Sequence, residues 1–274
     1  MKQIFVLLIA LFLLISCGAA WTAPVQITGE VSAEFRHLTR KVPSPKTDNK
    51  DVIDAEIDIR YPALFSTVKG DSAVPGTINK AIQERLLAIV GETPAPSIEK
   101  MVDQFAADYA KSVLETPEMP GAWSIKFDTE IRHADEDLLS LWTLDSVFTG
   151  GAHPNSNIIY MVFSMKTGKP VELSSLIAKD KSDELTAIAE KHFRRVRELK
   201  PDETYEQAGF QFEKNTFALN TNFLVSKDGL AFCFNQYEIA PYAMGITEMV
   251  IPWSDLKTVI DPAGPAARFL KDSN

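Results

Sequence analysis

From residue 52 to 61 apolar and polar side chains alternate. Ile53, Ala55, Ile57 and Ile59 fall on one face, and Asp54, Glu56, Asp58 and Arg60 on the other. A period of two marks a half-buried strand, and Pro62 is placed to end or interrupt it. Residues 25–36 alternate more loosely and read as a first strand. The polar, proline-containing stretch 41–50 reads as a loop. After Pro75, Gly76 and Thr77 the period changes. Ile78, Ile82, Leu86, Ile89 and Val90 recur at helical spacing over 78–90, with Gly91 as the stop. A second helix is predicted over 98–114. Ser97 is its N-cap, and Val102, Phe105, Ala106, Tyr109 and Val113 form its apolar stripe. Lys100 stands where a capping box would carry Glu. Residues 115–121, rich in Pro and Glu, break the chain again. Strands follow over 124–132, 138–148 and 158–165. The charged turn 133–137 joins the first two, and a hairpin turn at 166–169 follows the third. A third helix over 181–200 places Leu185, Ile188, Ala189, His192 and Val196 on one face. Strands over 217–225, 230–234 and 246–251 complete the reading. Strands and helices mix without regular β-α-β alternation. The predicted class is therefore α+β: antiparallel sheets packed with about three helices, as two adjacent small domains or one composite domain.

The first residues read as an address. Lys2 precedes an apolar run over 4–15, about 18 Å of helix, which is too short for a hydrocarbon core of about 30 Å. A basic start and a short apolar run form the secretory-signal pattern. The run ends in Leu14, Ile15, Ser16 and Cys17, which resembles the bacterial lipobox. That resemblance implies cleavage before Cys17 and lipid on its thiol. Ordinary cleavage a few residues later, after Ala19 or Ala20, is the alternative. Residues 1–16 are thus expected as a signal peptide and 17–30 as a tether. The chain is expected to be exported and lipid-anchored in the cell envelope. Gly18 after the cysteine, in place of an acidic residue, points to an outer membrane, facing the periplasm, in a two-membrane cell.

Composition narrows the function classes. The chain has 274 residues, 28 Lys plus Arg against 37 Asp plus Glu, and a net charge of −9. No long basic run stands out, so no nucleic-acid partner is expected. With 2 cysteines there is no disulfide scaffold. Once Cys17 carries lipid, Cys233 has no partner. It sits in an apolar strand and reads as structural. The histidines His37, His133, His153 and His192 form no close metal-ligand pair, so no metal and no cofactor are expected. No nucleophile-elbow, CxxC, phosphate-loop or dinucleotide motif occurs, and no catalytic residue is assigned. Asp135, Asp137 and His133 read as a solvated turn. Lys191, Arg194, Arg195 and Arg197 read as the solvated face of the third helix, with contact to anionic lipid as the alternative.

Two segments carry the candidate chemistry. In Phe148-Thr149-Gly150-Gly151-Ala152-His153-Pro154-Asn155 the glycines permit positive φ, and Pro154 drives His153 toward extended backbone. An imidazole held on such a turn is a binding group or a cap for backbone groups. The second segment spans 234–245. Tyr237, Glu238, Pro241 and Tyr242 lie there between predicted strands, as a rigid recognition loop or a structural crossover. The candidate binding residues are Gly150, Gly151, His153, Pro154, Asn155, Tyr237, Glu238, Pro241 and Tyr242. A catalytic alternative needs His153 to meet Glu238 or Asp145 as acid–base or metal partners.

The turn FTGGAHPN, with the following strand and hairpin, resembles the deacetylase PdaC-like extracellular domain. The later stretch with YEIAPYAMG resembles the companion domain of unknown function in RsiV-type anti-sigma factors. The resemblance implies a PdaC-like α+β domain over 31–176, a second α+β domain over 177–262 and a tail over 263–274. In one branch of this family the extracellular region binds lysozyme; in another it precedes a peptidoglycan deacetylase module. This chain shows neither a second membrane span nor that module. The expected function is therefore non-catalytic binding of a lysozyme-like protein or of peptidoglycan. The alternatives are a wall-glycan hydrolase or deacetylase, and a structural lipoprotein without a small ligand.

Overall fold

The computed structural model describes residues 23–49, 52–91, 93–116 and 122–271. Cys17 and the whole leader lie outside the described residues. β1 (Val25–Gln26) and β2 (Val31–Val42) take the place of the single strand expected at the start. They are parted by a turn in which Thr28 Oγ1 accepts from the N–H groups of Glu30 and Val31. β2 runs past residue 36 because β3 (Ala55–Ser66) pairs with it along its full length, Val31 opposite Ser66 and Val42 opposite Ala55. Pro62 does not end β3. β4 (Ser124–Ala134) pairs with β3 only over Glu56 to Arg60. Beyond that, β3 has an unpaired edge, where a missing N–H costs nothing. Asn79 covers this edge: its side chain exchanges two 2.8 Å hydrogen bonds with the Leu64 backbone.

β3 and β4 are parallel, so the first sheet is mixed and not antiparallel throughout. A parallel pair needs a crossover. α1 (Ala73–Leu87) and α2 (Ile98–Glu115) lie in the connection between these strands. β5 (Leu138–Phe148) and β6 (Asn155–Ser164) complete the order β1-β2-β3-β4-β5-β6. Ser97 caps α2 by accepting from Lys100 N. Met101, Val102, Phe105, Tyr109 and Val113 of α2 pack on Ala55, Ile57, Ile59, Ile125 and Phe127. Ile78 and Ile82 of α1 meet Ala33, Leu64, Leu139 and Leu141. Ile53, expected on the buried face, lies ahead of the strand and is exposed.

The C-terminal half is α3 (Ser182–Val196) and the antiparallel sheet β7 (Phe223–Val225), β8 (Gly229–Phe234) and β9 (Thr247–Pro252). Phe193 of α3 lies at the centre of an aromatic nest. Tyr205, Phe210, Phe212, Phe217 and Phe234 surround it at centroid distances of 5.0 to 6.0 Å. The strand expected over 217–225 shrinks to three residues. Phe217 turns into the nest, while Asn220 and Asn222 donate side-chain hydrogen bonds to Cys233 O.

Three surface readings change. In the basic set at the end of α3, Arg194 and Arg197 brace loops, while Lys191 and Arg195 stay exposed as expected. Arg194 donates to the carbonyls of Lys200 and Glu203, Arg197 to that of Met244, and Arg195 to His192 Nδ1. The acidic turn is a clasp: Arg268 reaches both Asp135 and Asp137, and His133 bonds Asp135. Residues 263–271 are no loose tail, since Phe269 stacks on Trp253 at 4.7 Å and Ala266 is fully buried. His192 is the satisfied core-edge residue that the pattern predicts, donating from Nε2 to Asp255.

Candidate functional site

Two loops far apart in sequence meet at one end of the joint between the sheets. The first is the β5–β6 connection. Gly150 and Gly151 hold φ of 99° and 102°, backbone that a side chain rarely tolerates. The turn closes on a paired stem, Val147 opposite Asn155, with Ser146 and Ser156 hydroxyls 2.7 Å apart. The second loop is templated by side chains. Asn235 donates from Nδ2 to Ile158 O at 3.0 Å and accepts from Ile158 N at 2.7 Å. It thereby plugs the edge of β6 much as a neighbouring strand would. Asn222 does the same one step on, accepting from Tyr160 N at 2.8 Å and donating to Ile158 O at 2.9 Å. Glu238 fixes the loop from within, its oxygens accepting from Asn235 N and from Asn220 Nδ2. Pro241 then leads into a short 3-10 turn, Tyr242–Met244.

These constraints bring three rings together. His153 stacks on Tyr242, with centroids 3.6 Å apart and planes 15° from parallel. His153 Nδ1 lies 3.2 Å from Pro154 O, and a carbonyl only accepts, so Nδ1 bears the proton. Nε2 then accepts from the Tyr237 hydroxyl at 3.0 Å. Tyr237 holds φ of 64°, a left-handed conformation that costs a side-chain-bearing residue about 1–2 kcal/mol. It is nevertheless 65% exposed, so the strain holds an aromatic ring out toward solvent.

Beneath the rings lies a cavity of about 170 Å³, lined by His153, Pro154, Asn155, Ser156, Gln236, Tyr237 and Tyr242. None of these carries a carboxylate or an ammonium group. Gln236 Oε1 is buried without a hydrogen-bond partner. Of the nine candidate residues, five line the cavity. Gly150 and Gly151 shape the turn, while Glu238 and Pro241 shape the loop. Ser156, Gln236 and the three loop-setting asparagines escaped sequence reasoning. The polar interruptions at Asn220 and Asn222 in a predicted strand were their available signal.

Neither carboxylate of the catalytic alternative lines the cavity with His153. Both oxygens of Glu238 are engaged in the loop. Asp145 is buried against Arg85 and Asn157. Among the described residues no group of three His, Cys, Asp or Glu side chains is placed to hold a metal ion. Among the same residues no helix is long and apolar enough to cross a membrane. Cys233 is buried. Burial, then Glu248 and Glu238, push its thiol well above the ordinary range, so it stays an inert core group. Tyr160 is likewise pushed far up, by burial and then by its 2.5 Å hydrogen bond to Glu248.

The comparisons with known proteins agree with this layout. Residues 47–156 match the family model "Deacetylase PdaC", and residues 174–254 match "Protein of unknown function (DUF3298)". A DUF3298 family member from Bacteroides fragilis NCTC 9343 superposes with a TM-score of 0.69. It is 18% identical, with 88% of this chain and 98% of that one covered. A DUF3298 family protein from Pseudomonas aeruginosa PAO1 gives a TM-score of 0.62 at 16% identity, covering 84% and 94%. No curated protein matches the sequence. The mixed sheet, the three helices and the small antiparallel sheet are thus a fold shared with these structures. The chain carries a PdaC-type domain over residues 47–156 followed by a DUF3298 domain over residues 174–254.

Proposed function

We propose that this chain is a lipid-anchored protein of the cell envelope that recognises a wall-active basic protein of the lysozyme kind. Recognition uses the face formed by His153, Tyr237 and Tyr242. The observation that carries the reading is Tyr237, a strained and exposed ring braced by His153 from a separate loop. Tyrosines fixed in this way give large contact area at low entropy cost and are typical anchors of protein interfaces. The chain's charge of −9 favours encounter with a basic partner and acts mainly on the association rate. Cys17 supplies the anchor. Fatty-acid labelling that persists in Cys17→Ala would overturn that part of the reading.

The test is calorimetric titration of the purified chain with lysozyme, repeated with His153→Ala and Tyr242→Ala. Each variant is expected to weaken binding about thirtyfold, the effect of removing an interface anchor. Soluble peptidoglycan fragments form the second arm. Binding to the fragments alone would move the ligand from protein to glycan, and binding to neither would remove the reading.

A further inference from the structure

We propose that His153 is a proton-operated switch on the recognition face: taking up one proton reverses its hydrogen bond with Tyr237 and weakens the hold on a basic partner. This deepens the recognition reading and rests on it. The first observation is that both ring nitrogens are committed. Nδ1 lies 3.2 Å from Pro154 O, and Nε2 lies 3.0 Å from the Tyr237 hydroxyl. A carbonyl only accepts, so the neutral ring keeps its proton on Nδ1 and Nε2 accepts from Tyr237. In the imidazolium both nitrogens donate. Nε2–H then donates to the Tyr237 oxygen, and the hydroxyl proton turns outward. One proton comes from solvent onto Nε2, and no covalent bond of Tyr237 breaks.

The second observation is that Tyr237 carries this change to the surface, with 65% of the residue exposed. With His153 neutral, a partner meets a hydroxyl oxygen with free lone pairs. With His153 charged, it meets an O–H donor and a new positive charge behind it. The third is the stack of His153 on Tyr242 at 3.6 Å. A cationic ring is attracted to the tyrosine face, so protonation keeps the imidazole in place.

The surroundings leave that charge unneutralised. No Lys, Arg, Asp or Glu lines the cavity, where Tyr237 and Tyr242 are the other titratable groups. The turn 149–154 holds no charged residue besides His153. On the β5 stem Asp145 is buried and paired with Arg85. Glu238 is the one acidic or basic residue of the 235–245 loop, and its oxygens accept from Asn220 Nδ2 and Asn235 N. A basic partner thus loses an acceptor and gains a repulsion in the same step. Imidazole is the side chain whose charge changes between about pH 5 and 8.

The experiment titrates the purified chain with lysozyme by calorimetry at about pH 7.5 and about pH 5, the two sides of an imidazole titration. Wild type is compared with His153→Gln and Tyr237→Phe, after thermal melts confirm that each folds at both pH values. Wild type is expected to bind about tenfold more weakly at the lower pH, the worth of one hydrogen bond. His153→Gln takes up no proton there and should lose most of that difference, whatever affinity it keeps. Tyr237→Phe, without the hydroxyl, should show a smaller difference than wild type. Titration of lysozyme's own groups is common to all three and cancels. A second arm needs no partner. Nitrogen-15 NMR should find the neutral His153 ring protonated on Nδ1. The Tyr237 Cζ resonance should move together with the His153 ring as pH falls, and should stay flat in His153→Gln.

Equal pH dependence in wild type and His153→Gln, with His153→Ala and Tyr242→Ala still weakening binding at neutral pH, overturns the switch and leaves the recognition face standing. A neutral-ring proton on Nε2, or a Tyr237 resonance that ignores the His153 titration, overturns the switch by itself. If lysozyme binds at neither pH while Tyr237 follows His153 in wild type only, the hydrogen-bond reversal stands and the lysozyme reading falls. No binding and no coupled shift overturn both.

Discussion

In the six-stranded sheet the backbone is satisfied by neighbouring strands and covered by two amphipathic helices. In the C-terminal half much of the backbone is satisfied by side chains. Asn220 and Asn222 hold the Cys233 carbonyl of β8, and Arg194 and Arg197 hold loop carbonyls. The apolar core there is a nest of aromatic rings drawn from irregular segments, with Phe193 at its centre. The first region is a frame of regular elements. The second is a set of loops fastened to that frame, and the candidate site forms where the two meet. A recognition loop needs both: a stiff strand to hang from, and polar side chains that fix irregular backbone without making it a strand.

The largest expected effect tests whether the two regions are one cooperative unit. Phe193→Ala should cost about 3–5 kcal/mol, the usual range for emptying a buried aromatic site. Leu138 and Val162 of the first sheet belong to the same core as Phe193. Chemical denaturation is therefore expected to keep a single transition. Two separate transitions would break the comparison and make the halves independent.

A smaller effect tests the fastening itself. Asn222→Ala removes hydrogen bonds to Tyr160 N, Ile158 O and Cys233 O. Ile158 O keeps Asn235 and Cys233 O keeps Asn220, so the Tyr160 N–H is the group left unpaired, at a cost of about 1–3 kcal/mol. Amide exchange at Tyr160 should accelerate more than exchange in β4. Unchanged protection at Tyr160 would show that Asn222 does not hold the edge.

The smallest expected effect concerns the clasp around Asp135. Burial pushes its carboxyl up, but the N–H groups of Leu138 and Asp137, together with His133, outweigh this and hold it below the ordinary value. A depressed carboxylate stabilises the fold above its unfolded pKa near 3.9. That contribution is lost as pH falls through the folded value. The melting temperature of wild type should therefore drop more steeply below about pH 4 than that of Asp135→Asn. Parallel curves would remove Asp135 from the acid response.

Most regular elements were legible because burial imposes a period. The alternation at Ala55, Ile57 and Ile59 and the stripe from Val102 to Val113 both mark the faces that the fold covers. The α+β class follows from their order. Pro62 misled as a strand end because whether an N–H is needed depends on which edge is paired, and that is a property of the sheet. The acidic turn at Asp135 and Asp137 looked solvated because Arg268 lies more than a hundred residues away in the chain.

By itself the sequence determined most of the strand and helix segments, where the two unusual loops lie, and that His153 and the tyrosines sit beside glycine and proline. Glycine, proline and hydrophobic period are local constraints, and local constraints can be read one segment at a time. Only the tertiary structure decided that β3 and β4 run parallel and that Arg194 and Arg197 brace loops. It also decided that His153 and Tyr237, 84 positions apart, share a hydrogen bond above a cavity with one unpaired oxygen. Those outcomes depend on which distant groups find each other when the chain closes, and hydrogen-bond partners at such separations leave no periodic trace in a single sequence.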